Sequence, residues 1–548
     1  MATLRLSTSK RRYRDLAADL KNSLKQNFRL ARALPEFFRT KVTVEQAEAE
    51  IRRGLESRAE RFLELARTRI YDCPDSPYLR LLKIAGCEFS DLQTHVRRDG
   101  LEAALEKLAG EGVYLTADEF KGKTEVRRGT NSFRLSLESF DVSTLSPGII
   151  TQSSGSSNKP IRSIISLDRI AAQALEEAVF LSAHDLISSA HAIYDAILPS
   201  GGGLRNLLVR ARLGIKTDRW FARNVPVGSP LVQGYHYLST YLVVLMGKCY
   251  GPGFPRPEFI DIEDVGPIVQ WVSEKRLQGQ SCCIKTAASN ATRIAREALR
   301  LGILLEGAKF IVGGEPFTDS KRELIRNIGA SSTSHYAFSG GGTLGSGCAS
   351  PRYTDEVHLN RHTFAVVQHS IAKSKSGAAI RPLLFTTLSA IGPRLLLNVE
   401  NGDYGILCAR DCGCALERAG LTQHLYDIRS YEKFTSEGMN YFFGDLYQFF
   451  EKTLPPEFGG GAGDYQLVEE EDEQGQTRLT LRVHPDVPRL DETRLLRRLQ
   501  EEFAKGSRAN EFQAMVWRHA GTFRVRREVP YSSARGKILP LHLARSSR

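Results

Sequence analysis

The sequence predicts an α/β protein with a large first part and a small α+β part at its C-terminal end. Three observations carry this. At 548 residues the chain exceeds the roughly 250 to 300 residues at which a single hydrophobic core stops growing. From about Phe133 onward, short apolar runs, turn residues and amphipathic helices alternate, as they do where helices cover a sheet. After Glu432 the texture changes to an alternating hairpin pattern, one amphipathic helix and a further strand. The expected boundaries are 1–130 for a helical N-terminal part of the large domain, 131–428 for its core and 429–548 for the small domain.

The first part reads as helical. "TVEQAEAEIRRGLESRAERFLELARTRI" places Ile51, Leu55, Phe62 and Leu65 near one face at helical spacing, a core-facing stripe. "SLDRIAAQALEEAVFLSAHDLISSA" predicts a helix after residue 165, and "SNATRIAREALRLGI" predicts another with Ile294, Ala298 and Leu301 on one side. "AKFIVGGEPF" reads as a short buried strand entering a glycine turn. Thr318 is placed to cap the helix "DSKRELIRNI", which Gly329 closes. Strand, glycine turn and helix form a unit whose ligands sit at the carboxyl end of the strand. In the last part, "DYQLVEEEDEQGQTRLTLRVH" predicts a hairpin turning near Gln474 and Gly475 with Leu479, Leu481 and Val483 alternating. "DETRLLRRLQEEFAKG" predicts a helix burying Leu495, Leu499 and Phe503, "TFRVRREV" a last strand, and "FGGGAGD" a loop.

Composition excludes several classes. Hydrophobic residues make up 41% and charged residues 25%, values of a globular protein. The net charge of +12 comes from 75 basic and 63 acidic residues, without a basic block interleaved with aromatics, so no nucleic-acid partner is expected. "STYLVVLMGKCYG" is too short for a membrane span. The basic start "MATLRLSTSKRRYRD" lacks an apolar signal region, which makes the cytoplasm the expected compartment. Nine cysteines do not form a disulfide framework in a chain of this length. Cys282 and Cys283 read as core packing, His335 as a solvated loop histidine, and Trp220, Trp271 and Trp517 as too scattered to make a site.

The stretch "TQSSGSSNKPIRS" at 151–163 has two readings. One glycine and a lysine followed by proline do not make a Walker-type phosphate loop. Its hydroxyls and backbone N–H groups, with Lys159, suit phosphate oxygens equally as they suit a linker. G-x-S-x-G and H-E-x-x-H are absent.

Taken in order, "SSGSSNKP" at 153–160, "GGEPFT" at 313–318, "YAFSGGG" at 336–342, "NGD" at 401–403, "IRSYEKFTSEGMN" at 428–440 and "SSARGKI" at 532–538 resemble the successive core motifs of the adenylate-forming ligases. The nearest branch is that of phenylacetate-coenzyme A ligases and the related acyl-protein synthetases. The resemblance runs from about residue 130 to the end, and about the first 120 residues carry no placed motif.

This resemblance implies a large adenylation domain with a small mobile C-terminal domain, and activation of a carboxylic acid by ATP with Mg2+. Ser153, Ser154, Gly155, Ser156, Ser157 and Lys159 would hold the β- and γ-phosphates. Gly313, Gly314, Glu315 and Pro316 would lie against the adenine, Tyr336 close to it, and Ser339 near the phosphates. Asp403 would accept from the ribose hydroxyls, as a two-oxygen acceptor can. Arg429 would lie at the hinge, and Lys537 would meet the charge that develops as the acyl-adenylate forms. Asn158 and Gly340 depart from the family, which has glycine at the first position and a magnesium-holding glutamate at the second. Cys348, His358, Cys412 and Cys414 resemble the ligands of zinc-bearing members, three thiolates and one imidazole around a closed structural site, with Cys408 as a spare. Coenzyme A is the expected acceptor. A carrier protein, an amine acceptor, a homodimer and a non-catalytic nucleotide-binding scaffold stay open. The acyl pocket is expected between the helix carrying Ile294 and the loops at Gly313 and Tyr336, walled by residues such as Phe310 and Phe338, with apolar or aromatic character.

Overall fold

The computed structural model describes residues 23–142, 146–152, 162–223, 230–261, 264–338, 342–369, 372–373, 379–389, 391–392, 394–430, 433–436, 439–442, 446, 449–461, 463–488, 490–505, 508–531 and 541–543. A twelve-stranded sheet organises the larger part. Six of its strands are parallel: Ala190–Tyr194, Thr217–Arg223, Pro257–Ile260, Cys282–Ala287, Ala308–Gly313 and Ser331–Phe338. Numbered along the chain, they lie in the spatial order 3-2-1-4-5-6, the doubly wound arrangement, with the reversal between Ala190–Tyr194 and Cys282–Ala287. The sheet then continues antiparallel through Gly342–Gly347, Val357–Leu359, Gln423–Ser430, Val399–Ala409, Pro382–Thr387 and Phe364–Gln368.

Helices cover both faces because successive side chains of a strand point to opposite sides. Ala192 packs with Ile294 and Ala298 of the helix Ala288–Leu301. Its neighbour Ile193 packs with Leu167 and Ile170 of the helix Leu167–Ala183. The latter is capped by Ser166, whose hydroxyl accepts from the Arg169 N–H. Leu301, expected on the buried side of its helix, is 44% exposed, because the helix ends there at Gly302 (φ +68°).

The helical reading of the first part holds, with a break. Val44–Glu56 and Arg58–Ala66 are separate helices meeting at Ser57, whose backbone leaves helical geometry. Ile51, Phe62 and Leu65 are buried and Leu55 is half-buried, but in different clusters. Further helices at Pro77–Ile84, Phe89–Asp99 and Leu101–Gly110 join the core of the antiparallel half.

Asn398 ties this layer to the sheet. It is fully buried at φ +51°, and its amide donates to the Leu105 and Val113 carbonyls at 2.8 and 3.1 Å. Asn398→Ala removes both bonds and leaves a β-carbon in left-handed backbone without that compensation, so it is expected to cost about 3 kcal/mol. Denaturant unfolding checks this, and an unchanged midpoint would contradict it.

The smaller part has a four-stranded sheet in the order Phe523–Arg527, Thr477–Val483, Tyr465–Glu471, Leu541–Leu543. Leu479, Leu481 and Val483 are buried as the alternation predicted, and the helix Glu492–Ala504 buries Leu495, Leu499 and Phe503. "TFRVRREV" is not the last strand, since Leu541–Leu543 pairs parallel to Tyr465–Glu471. The hairpin turn docks on the larger part. Arg296 donates to Gln474 at 2.8 Å, Gln476 donates to Thr292, and Lys321 donates to Thr477 at 3.1 Å. Thr318 caps its helix by position only, since its hydroxyl donates to Glu471 at 2.5 Å instead. Among the described residues, no helix is long and apolar enough to cross a membrane.

Candidate functional site

The carboxyl ends of the last two parallel strands and the start of the antiparallel strand Val399–Ala409 bring several of the expected site residues together. Gly313 ends its strand opposite His335, and Gly314 turns the chain at φ +81°. Glu315 faces inward: it accepts from the Ser289 hydroxyl at 2.6 Å and lies 3.9 Å from the Lys321 ammonium. The same ammonium donates to the Pro316 carbonyl at 3.0 Å. The GGEP turn is therefore pinned both to a helix N-terminus and to the docking hairpin of the smaller part.

Tyr336 and Asp403 meet directly. The Tyr336 hydroxyl donates to Asp403 Oδ2 at 2.9 Å. Asn401 Nδ2 donates to that same oxygen and to the Tyr336 hydroxyl, both at 2.8 Å, while the Asp403 N–H donates to Asn401 Oδ1 at 3.0 Å. Burial, followed by the Asp403 charge, pushes the Tyr336 phenol well above its ordinary pKa, so it stays a donor. Asn401, two residues before Asp403 in "NGD", was the unrecognised member of this triangle. Side-chain capture of a backbone N–H two residues on is an Asx turn, which that tripeptide does signal.

Arg429 lies across the strand pair from Tyr404 and donates to Asp355 at 2.9 Å. Asp355 also accepts the N–H groups of Asp427 and Ile428. It therefore clamps a turn that puts Asp427 at φ +53°. No local pattern in the sequence couples position 355 to 427. Ser153, Ser154, Gly155, Ser156, Ser157, Lys159, Ser339, Gly340 and Lys537 lie outside the described residues.

The expected metal residues converge. The hairpin register Gly347↔Val357 brings Cys348 beside His358, and the turn after Val399–Ala409 delivers Cys412 and Cys414 around Gly413 (φ +73°). The four ligand atoms lie within 4.8 Å of one another. His358 Nδ1 donates to the Leu421 carbonyl at 2.5 Å, which fixes the tautomer and aims the Nε2 lone pair at Cys414 and Cys412, 3.2 and 3.6 Å away. A tetrahedral zinc with its usual bond lengths needs sulfur–nitrogen edges of about 3.6 Å, so the donor set fits. Cys414 is held below the ordinary thiol pKa, first by its hydrogen bond with Cys348 and then by His358. Cys408 is outside this cluster, and all nine cysteines are free thiols.

Other expectations change. His335 is buried rather than solvated, 3.3 Å from Glu177, which also meets Arg210 and Lys285. Cys282 and Cys283 are buried, and burial pushes their thiols up to about 12 and about 11, as inert core cysteines require. Ile294 and Phe310 are fully buried in one core cluster, and Phe338 is partly exposed beside Phe385.

No family model matches the sequence, and no curated protein matches it. Solved structures do. 2-Hydroxyisobutyryl-CoA ligase with 2-HIB-AMP and CoA, in the thioesterification state, aligns over 90% of each chain at 15% identity with a TM-score of 0.55. The fold is that of the adenylate-forming ligases. A malonyl-CoA ligase with methylmalonyl-CoA and AMP aligns over 70% of this chain and 72% of its own, at 14% identity and a TM-score of 0.39. An NRPS protein containing adenylation and PCP domains covers 74% and 70%, at 13% identity and a TM-score of 0.35.

Proposed function

We propose that this protein activates a small carboxylic acid with ATP as an acyl-adenylate and transfers the acyl group to a thiol, coenzyme A being the preferred acceptor. The observation that carries the reading is the Tyr336–Asn401–Asp403 triangle, set beside the pinned GGEP turn at the carboxyl ends of parallel strands in this fold. Asp403 Oδ2 accepts from Tyr336 and Asn401, and Asn401 is itself held in place by the Asp403 backbone N–H. The carboxylate is thereby preorganised to receive the ribose hydroxyls.

In the reaction, a carboxylate oxygen of the acid attacks the α-phosphorus and pyrophosphate leaves. A thiol then opens the mixed anhydride and AMP leaves. Positioning and electrostatics supply most of the acceleration, since adenylyl transfer asks little covalent chemistry of the protein. Ser153 to Lys159 and Ser339 are assigned to the phosphates, Tyr336 and Gly313 to Pro316 to the adenine, Arg429 to the hinge and Lys537 to the developing charge. Mg2+ would be held by ATP phosphates and water, since magnesium takes few protein ligands. Cys348, His358, Cys412 and Cys414 are assigned to a structural zinc ion. The units proposed are 1–130, 131–428 and 429–548, in the cytoplasm, within the phenylacetate-CoA ligase-like branch.

Pyrophosphate release over a panel of acids tests the activity, and acyl-CoA formation tests the acceptor. ATP binding without release for any acid would favour a scaffold. Asp403→Ala is expected to raise the KM for ATP by roughly 10- to 100-fold, the loss of hydrogen bonds to a charged group, with a smaller effect on kcat. An unchanged KM would remove Asp403 from the nucleotide site.

A further inference from the structure

Lys321 is a lysine with almost no contact with water, 1% exposed. It stands third in the helix Asp319–Arg326, where the positive end of the helix dipole opposes a cation. Burial of an ammonium is itself costly unless hydrogen bonds and opposite charges surround it. The groups that offset both costs come from two separate parts of the chain. From the larger part, the Pro316 carbonyl accepts from Nζ at 3.0 Å and Glu315 lies 3.9 Å away. From the smaller part, the Thr477 hydroxyl accepts at 3.1 Å and Glu471 lies 4.0 Å away. Each side supplies one hydrogen bond and one carboxylate. Glu471 is held in turn by the hydroxyls of Thr318 and Ser320, at the start of the Lys321 helix.

A second route joins the same two segments. Gln476 donates to the Thr292 hydroxyl and, at 3.5 Å, to the Ser289 carbonyl. The Ser289 hydroxyl donates to Glu315 at 2.6 Å. The turn Gly313–Pro316 therefore meets the hairpin of the smaller part, formed by Tyr465–Glu471 and Thr477–Val483, at two points. Pro316 reaches it through Lys321, and Glu315 reaches it through Ser289.

This contact is polar and dry, since Ser289, Thr292, Lys321, Gln476 and Thr477 are all buried. A contact of that kind is made nearly whole or not at all, because a group that loses its partner while still buried bears the full desolvation cost. If the hairpin lifts, water reaches the Lys321 ammonium and competes for the donor that holds Pro316. The shape of the turn then depends on whether the smaller part is docked.

We propose that Lys321 is a positioning residue for the nucleotide: it fixes the Gly313–Pro316 turn while the hairpin is docked, so that ATP binding and docking of the smaller part favour each other. The proposal rests on the assignment of that turn to the adenine. Lys321 acts through the Pro316 carbonyl and does not itself touch the nucleotide. The coupling is reciprocal. A docked hairpin that tightens ATP binding by a given factor is itself held more tightly by that factor once ATP is bound.

The test measures both sides of that equality in the full chain, with ATP and Mg2+ and no acid. Calorimetry gives the Kd for ATP. Hydrogen exchange gives the protection of the Asp472 to Gln476 amides, with the helix Glu492–Ala504 of the same part as the control. In wild type, ATP is expected to raise hairpin protection about 10-fold, inside the range usual for coupled sites, and to leave the control unchanged. Lys321→Met should weaken ATP binding by a similar factor and make hairpin exchange insensitive to ATP. Thr477→Val removes only the hairpin's hydroxyl and keeps the shape of the side chain, so it should do the same to a smaller extent, and it decides the matter alone if Lys321→Met does not fold. A residue that merely stabilised the fold would lower the unfolding midpoint and leave both the Kd and the ATP response of the hairpin at wild-type values, which would overturn the proposal. Wild-type ATP binding with hairpin exchange unchanged would overturn it as well, and in both cases the adenylation reading stands. Absence of ATP binding in wild type would instead remove the nucleotide reading, and this inference with it.

Discussion

Lys537→Ala is expected to lower acyl-adenylate formation by about 100- to 1000-fold, the loss that follows removal of one preorganised charge-stabilising donor. As the carboxylate oxygen attacks, negative charge builds on the oxygens around the α-phosphorus, and an ammonium is worth most there once water is excluded. The residue follows "YSSARG", whose glycine permits close approach of the backbone. ATP binding should change little, because the residues assigned to the nucleotide lie in the larger part of the chain. Thiolysis of a separately supplied acyl-adenylate should largely survive if the lysine serves only the first half-reaction. Single-turnover measurement of the two half-reactions separates these outcomes. Equal loss in both, or loss in neither, would contradict the role assigned to Lys537.

The large α/β part and the small α+β part were legible because each signal is local. Alternation in Leu479, Leu481 and Val483 and helical spacing in Leu495, Leu499 and Phe503 depend only on which side of an element meets the core. Order was not legible. The 3-2-1-4-5-6 arrangement and the extension of the sheet to twelve strands arise from pairings between distant segments, such as Val357↔Leu425, that periodicity does not encode.

The candidate site divides in the same way. Tyr336 and Asp403 stand in motifs, yet their contact, 67 residues apart, exists only in the folded sheet. Asp355, which holds the Asp427–Arg429 turn, sits in no motif, and its role is visible only through the three groups it bonds. Ile294 and Phe310 show the same limit, since apolarity alone cannot tell a pocket wall from a filled core.

Removal of the proposed zinc is expected to have the largest effect on stability. Cys348, His358, Cys412 and Cys414 close the far end of the strand pair Val399–Ala409 and Gln423–Ser430, whose near end carries Asp403 and Arg429. From Asp403 to Ala409 that pair runs roughly 20 Å at about 3.3 Å per residue, so the metal would act on the nucleotide end only through strand register. With three thiolates and one imidazole as ligands, no position is left for an activated water, and the role is structural. Elemental analysis of purified protein is expected to find about one zinc per chain. Cys414→Ser and His358→Ala should each lose it and lower unfolding free energy by several kcal/mol, since metal binding energy in such sites is folding energy. Chelation of the wild type should lower its Tm in the same direction. Because Cys414 lies in the buried cluster with Cys348, Leu416 and Phe180, the unmetallated thiols would be left crowded and partly desolvated rather than neutral filler. The KM for ATP should rise modestly in these variants, through the loosened strand pair, and less than in Asp403→Ala. Metal-free protein with wild-type stability, or Cys414→Ser that keeps full zinc content, would show that these four residues form a buried thiol–imidazole cluster and not a metal site.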